Sequence, residues 1–558
     1  MQAALDEAWS GHPVWTILDT DFGPGERFLE VCARWHSNKQ RPALLHYVAL
    51  CEPQSKLPGR ALHPGFNRFL YEDGRISLTL CLGDSHRMMS ELRLQADSVY
   101  GTACNDWDAA TLSLLARNCR PGAQLSDLNI SGANNAHWAR IGFKVSAAAA
   151  DPEGKALHRQ TAVYAPPWPV KNTRFLSNAA LKVGRCAVIG AGLGGASVAR
   201  ALALRGWDVS VLDAMAQPAC GASGLPVGLC VPQHSADHNP QSRLLEQGVR
   251  LSLGHALRWL NNGQDCRVSG VLEKAAKHTW HADAGWIKPA SLVRAWLSHD
   301  RICFTGNAAV KSLSREASQW ILKDALGQVL ERADLVVFAT ANGSTELIQS
   351  LTPQEVLRDD VLRKIGALQA MHGLVSIATM PADLPSATPM NGRGSVIPGV
   401  PDVSGQSSGT AAHLYAGASY IKAPIAPADQ ERLHAQNLEK LQFLAPEYAP
   451  TLADAIARDS VQSWSGTRCV THDRLPLVGP IEAADKPGLW ICTGMGSRGI
   501  SLAALCAELL VAYIGAEPLP LEASLAKSLS VNRPRKRSRG ADSDSALPIA
   551  SPPPGGVP

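Results

Sequence analysis

Three glycines carry the clearest chemical signal in this sequence. Gly190, Gly192 and Gly195 form a G-x-G-x-x-G run between the apolar stretch Lys182–Ile189 and the small-residue stretch Ala196–Arg205. Such a run lets the chain turn tightly out of a strand. It also brings backbone against a pyrophosphate and lets the following helix pack closely on the strand. The start of that helix offers free N–H groups and the positive end of its dipole to phosphate oxygens. Trp207–Leu212 reads as the next strand, and Asp213 closes it 23 residues after Gly190. A carboxylate there accepts hydrogen bonds from ribose hydroxyls. The chemistry implied is dinucleotide binding.

A second glycine-rich turn, Gly494-Met-Gly-Ser-Arg-Gly499, precedes a helix predicted over Ile500–Ala512. Gly494 and Gly496 would open a helix N-terminus that can stabilise negative charge on a flavin ring. Between the two turns, Ala333–Gly343 reads as a strand ending in small residues. Split binding of this kind suits FAD better than a nicotinamide cofactor.

These turns must be held by a sheet. Residues 183–532 are expected to form an FAD-binding, doubly wound α/β domain with an inserted α+β substrate domain. Residues 1–163 repeat the alternation. Val14–Asp19, Leu44–Glu52 and Ile76–Leu82 are apolar runs, and Glu26–His36 has helical apolar spacing. They read as an N-terminal Rossmann-like sheet of the kind that binds S-adenosylmethionine (SAM). Gly23 and Gly25 lie in its first turn. Glu52 is placed to hold ribose hydroxyls and Asp84 to meet the adenine amine. Residues 164–182 open with three prolines in four residues (Pro166, Pro167, Pro169) and read as a linker. Residues 533–558 lack periodicity and are rich in Pro, Ser and Gly, as in a disordered tail.

Composition narrows the class. The chain has 558 residues, of which 45% are hydrophobic and 18% charged, so a large packed core is expected. No uninterrupted apolar run reaches the ~18 residues that would span a bilayer, and no secretory pattern opens the chain. Thirteen cysteines without a C-x-x-C pair argue against a disulfide framework or a zinc cluster. A cytoplasmic protein without a metal or membrane partner is the expectation. The net charge is +4, and residues 533–558 carry +3 of it. Nucleic-acid binding would therefore have to come from local patches.

The stretch Gly190–Leu229 resembles the D-amino-acid-oxidase and glycine-oxidase type of FAD-dependent amine oxidase. Val231–Leu244, Thr471–Pro480 and Gly494–Leu510 narrow the resemblance to the bifunctional bacterial tRNA 5-methylaminomethyl-2-thiouridine biosynthesis proteins. The match is dense at both ends of 183–530 and thin between. It implies an FAD-dependent oxidoreductase domain fused to a SAM-dependent methyltransferase domain, both acting on the wobble uridine of tRNA. The implied oxidation takes a hydride from the C–H beside the nitrogen of 5-carboxymethylaminomethyluridine, and hydrolysis of the imine leaves the aminomethyl base and glyoxylate. The substrate carboxylate needs a cation, best a guanidinium. Arg468, in Trp464-Ser-Gly-Thr-Arg468, stands where relatives of glycine oxidase carry such an arginine; Arg498 and Arg474 are further candidates. Ser223 and Gly224 match the family's loop near the flavin. Leu225 replaces a frequent Asn, and His472 a frequent Pro.

The N-terminal domain departs further from the family. The usual loop E-T-G-F-G-x-G is here Asp19-Thr-Asp-Phe-Gly-Pro-Gly25, so a glycine has become Asp21, whose carboxylate would repel that of SAM. The F-L-D-G-F-A-P-like segment is missing, with Asp106 or Asp108 as candidate substitutes. The domain reads as a degenerate methyltransferase kept for structure or tRNA docking. The basic tail can touch tRNA phosphates or merely keep the chain soluble. Two rival readings remain: a small-amine oxidase of glycine or sarcosine type, and a non-catalytic flavin-containing tRNA-binding scaffold.

Overall fold

The computed structural model describes residues 2–52, 57, 62–128, 135–146, 160–170, 181–235, 237–275, 278–349, 359–384, 388–402, 412–481 and 488–533. The tail beyond Arg533 and linker residues 171–180 lie outside them.

The N-terminal strands are β1 (Val14–Asp19), β2 (Leu44–Cys51), β3 (Gly65–Tyr71), β4 (Ile76–Leu82), β5 (Ala96–Tyr100), β6 (Cys119–Leu128), β7 (Phe143–Val145) and β8 (Gln160–Tyr164). They form one sheet in the order β3-β4-β2-β1-β5-β6-β8-β7. β4, β2, β1, β5 and β6 pair in parallel, whereas β3, β7 and β8 join antiparallel. Continuous apolar runs suit strands covered on both faces. Ile17, Tyr47 and Leu78 face Phe28 and Trp35, while Leu18, Val48 and Cys81 face Met89 and Leu115. The strand order reverses between β1 and β5, which places the ligand crevice of such a sheet after Asp19 and Tyr100.

The second sheet contains β9 (Arg185–Ile189) and β10 (Asp208–Leu212). Its order is Ile302–Thr305, β10, β9, Leu335–Phe338, Leu489–Thr493 and Leu477–Pro480, antiparallel only at the last pair. A seven-stranded sheet, which includes Gln369–Thr379, Ala412–Gly417 and Gln462–Val470, is built from segments that fall between β10 and Leu477–Pro480 along the chain. The helix Gly499–Gly515 packs on the helices Leu193–Leu204 and Pro240–Trp259. It is apolar apart from a few residues such as Glu508 and is buried from Ile500 to Ile514. The stretch Gly496–Gly515 is long and apolar enough to cross a membrane, but most of it is enclosed by the protein.

The two halves meet across β3. Arg68 reaches Glu508, in the middle of that helix, at 3.2 Å. Arg205 binds Glu508 at 3.2 Å and Glu517 at 2.8 Å, and His46 lies 3.4 Å from Glu517. All five side chains are buried. Burial pushes Glu508 up, but Arg205 and Arg68 outweigh it and hold its pKa at about 2. Burial pulls His46 down to about 4, against the attraction of Glu517. Glu522 adds a further tie, accepting from the Phe66 backbone N–H and from Arg243.

Several sequence boundaries shift. Tyr164, placed at the head of the linker, is the buried last residue of β8 and packs against Phe143. Arg533, placed in the tail, is buried: its guanidinium grips both Asp473 oxygens at 2.7 and 2.8 Å. The helix expected from Ala196 begins at Leu193, because Gly192 serves as its N-cap.

Candidate active site

β9 runs into Gly190 at φ +106°, where an added Cβ would lie 2.6 Å from the Ala339 carbonyl oxygen. A Cβ at Gly195 would overlap the Gly190 carbonyl oxygen, so strand and helix approach as closely as backbone permits. The Ser223 hydroxyl accepts the Leu193 N–H at 2.9 Å. Asp213 accepts the Ala191 N–H at 2.7 Å and the Met215 N–H at 2.9 Å. A cavity of about 510 Å³ opens beside these groups. Gly190, Gly192, Asp213 and Ser223 line one part of it; Gly494, Gly496 and Arg468 line another. Gly195 and Gly224 act from behind, Gly224 abutting the Ala219 carbonyl. The glycine turn, helix start and strand-end carboxylate fit the pyrophosphate and ribose of FAD. The second turn brings a helix N-terminus to the same cavity.

Trp464, Gly466 and Arg468 alternate along Gln462–Val470 and so share one face of the strand. A Cβ on Gly466 would strike the Trp464 ring. The Arg468 guanidinium donates to the Ser419 carbonyl at 3.2 Å and stacks 4.6 Å from the Tyr420 ring centre. Burial lowers its pKa, with Tyr420 opposing. Among the described residues it pairs with no carboxylate. Arg498, unlike its neighbours Ser497 and Gly499, does not line the cavity and donates to the side-chain Oε1 of Gln233 at 3.0 Å. Burial lowers its pKa too, against the pull of Tyr420 and Glu273. Arg474 and His472 are exposed and do not line the cavity. Only Arg468 of the three candidate arginines therefore lines the cavity. Tyr420 carried no sequence signal, because it follows its strand in an ordinary Gly-Ala-Ser-Tyr segment and gains its role only through Arg468, 48 residues later.

The N-terminal crevice is built differently. Gly23 and Gly25 take φ +54° and +88°, as a glycine turn requires. Asp19 is fully buried, and its oxygens receive Arg27 at 2.8 Å, the Tyr47 hydroxyl at 2.5 Å and the Asp21 N–H at 3.1 Å. Burial raises its pKa, and Arg27 only partly offsets this. The Arg27 guanidinium also lies 3.6 Å from Asp127, 3.3 Å from Thr102 and 4.8 Å from the Tyr100 ring centre. It thus bridges the ends of β1, β5 and β6. Asp84 and Asp108 serve as N-caps, accepting the Arg87 and Thr111 N–H groups. Glu52 is exposed at the end of β2, and Asp106 closes a short helical turn. SAM carries a sulfonium and an ammonium against one carboxylate. The buried acid of this turn is paired with Arg27, which also meets Asp127, rather than left free for such a cation.

Fold and cavity together define an FAD-dependent oxidoreductase, and the family model described as "FAD dependent oxidoreductase" matches residues 185–272 and 241–513. A protein of Albidiferax ferrireducens, called tRNA 5-methylaminomethyl-2-thiouridine biosynthesis bifunctional protein, is 40% identical over 99% of this chain and 98% of its own length. One of the same name from Polaromonas sp. is 37% identical over 94% of this chain and 92% of its own. The chain belongs to this family of bifunctional tRNA-modification proteins. Among solved structures, glycine oxidase from Geobacillus kaustophilus is 17% identical, covering 63% of this chain and 100% of its own, with a TM-score of 0.48.

Proposed function

We propose that the protein removes the carboxymethyl group from 5-carboxymethylaminomethyl-2-thiouridine at the tRNA wobble position, giving 5-aminomethyl-2-thiouridine and glyoxylate, in the cytoplasm. The observation that carries this reading is Arg468: a largely desolvated guanidinium without a carboxylate partner among the described residues, on the wall of the cavity that holds the dinucleotide turn. Such a charge is poised for an anionic ligand. FAD, when bound, supplies the two-electron oxidation of the C–H beside the amine nitrogen. Arg468 grips the arm's carboxylate, and Trp464 walls the cavity beside it. Their shared strand face sets where the methylene group between nitrogen and carboxylate must lie. Water then adds to the imine carbon, and the C–N bond breaks to release glyoxylate.

The N-terminal domain acts without SAM in this reading, supporting the oxidase and the tRNA; the bifunctional relatives' methylation step is not assigned to it. The test is anaerobic flavin reduction by tRNA carrying the carboxymethylated nucleoside, with glyoxylate measured. Reduction by glycine or sarcosine but not by the tRNA would identify a small-amine oxidase. A flavin that stays oxidised with every amine would identify a scaffold.

A further inference from the structure

Two exposed aromatic rings lie outside the cavity in the part of the chain that builds the seven-stranded sheet, each with a guanidinium over one face. Tyr420 is 57% exposed and carries Arg468 at 4.6 Å. Phe443 is 60% exposed and carries Arg393 at 5.5 Å. Lys440 connects them. Its ammonium donates to the Ala418 carbonyl at 2.9 Å, two residues before Tyr420. It stands three residues before Phe443 on the helix Gln430–Leu444, so the two share a helix face. The turn that bears Arg393 lies against it, since a Cβ on Gly394 would sit 3.4 Å from Lys440 Cδ. Arg468 belongs to both the cavity wall and this surface. The result is a track of cations and rings, Arg468–Tyr420–Lys440–Arg393–Phe443, that leads out of the cavity. Glu439 is an acid that adjoins Lys440.

Single-stranded nucleic acid is recognised by this combination: bases stack on aromatic faces while cations follow the phosphates. A base drawn into the cavity also leaves its loop neighbours unstacked and in need of new partners. We propose that Tyr420 and Phe443 stack bases flanking the wobble nucleotide, while Lys440 and Arg393 hold the intervening phosphates. This inference rests on the tRNA reading above and names the surface through which the anticodon loop docks.

The test uses full-length, FAD-loaded protein and tRNA carrying 5-carboxymethylaminomethyl-2-thiouridine. Arg393→Gln and Phe443→Ala lie away from the cavity. Each is expected to raise the KM for that tRNA about tenfold while leaving flavin reduction by the isolated carboxymethylated nucleoside unchanged. Phe443→Trp should restore binding, which a merely structural role for Phe443 would not predict. Arg393→Gln should also lower the salt slope of tRNA binding by about 1. If the wild type is reduced by the tRNA but both variants keep its KM, the track is overturned and the proposed function stands. If the wild type is reduced by the nucleoside alone, both fail. Loss of binding to anionic lipid vesicles, with tRNA kinetics unmoved, would assign the surface to a membrane and overturn the track.

Discussion

The chain builds the same local device twice, a strand, a glycine turn, a helix and an acid, with opposite outcomes. After β9 the helix starts with Leu193, Gly194 and Gly195, which leave space, and Asp213 is held by backbone N–H groups beside an open cavity. After β1 the helix starts with Glu26 and Arg27, and Arg27 folds back onto the buried Asp19. A glycine turn thus creates the possibility of a nucleotide site. The side chains one residue into the helix decide whether ligand or protein occupies it.

The comparison can be broken most decisively at Gly195. Gly195→Val forces a side chain into the Gly190 carbonyl, so the purified protein should lose its FAD absorbance altogether; retained FAD would show that close helix packing is not what makes the site. In the wild type, calorimetry should show FAD uptake but no SAM binding in the micromolar range. Micromolar SAM affinity would mean that the Arg27–Asp19 pair opens and the contrast collapses.

Next in size is Arg468→Ala, expected to cut kcat/KM for the carboxymethylated substrate about 100-fold, the worth of a strong charge-assisted contact. FAD content should be unchanged, and stopped-flow flavin reduction checks it. Arg27→Ala should destabilise the N-terminal domain by about 3 kcal/mol, because Asp19 is left buried and unpaired. Denaturant unfolding measures this, and a neutral variant would mean that Arg27 does not close the crevice.

The most gradual effect, spread over more than two pH units, is on acid stability. His46 and His255 both have folded-state pKa values of about 4, below the ordinary 6.5. The unfolded chain therefore binds more protons between those values, and stability must fall as pH drops from 6.5 to 4. The loss should be on the order of 1 kcal/mol per pH unit for each histidine. His46→Gln should flatten the decline in Tm over that window, and an unchanged slope would remove His46 from the account.

The FAD half was legible because its signals are local: glycines, an apolar strand and a terminal acid within one βαβ unit. β1 and β4 were legible in the same way. β3 was not, since Asn67 and Arg68 make its sequence look too polar to be buried. Their partners are set by the fold: Asn67 binds His63, Gly65 and Leu80 backbone atoms and distant Arg250, and Arg68 reaches Thr79 and distant Glu508. Arg533 was misplaced for the same reason, its partner Asp473 lying 60 residues back. The closure by Arg27 also escaped notice, because a helix-start arginine reads as solvated until the fold brings Asp127 and Tyr100 around it.

The Arg68–Glu508 contact has a consequence for the protein's handling. Excising the first 163 residues would strip Glu508 of Arg68, leaving Arg205 to balance both Glu508 and Glu517, and would expose the flank of the oxidase's central helix. Whatever chemistry the N-terminal domain performs, it also covers its neighbour's buried charges. The oxidase cut away on its own is therefore expected to precipitate.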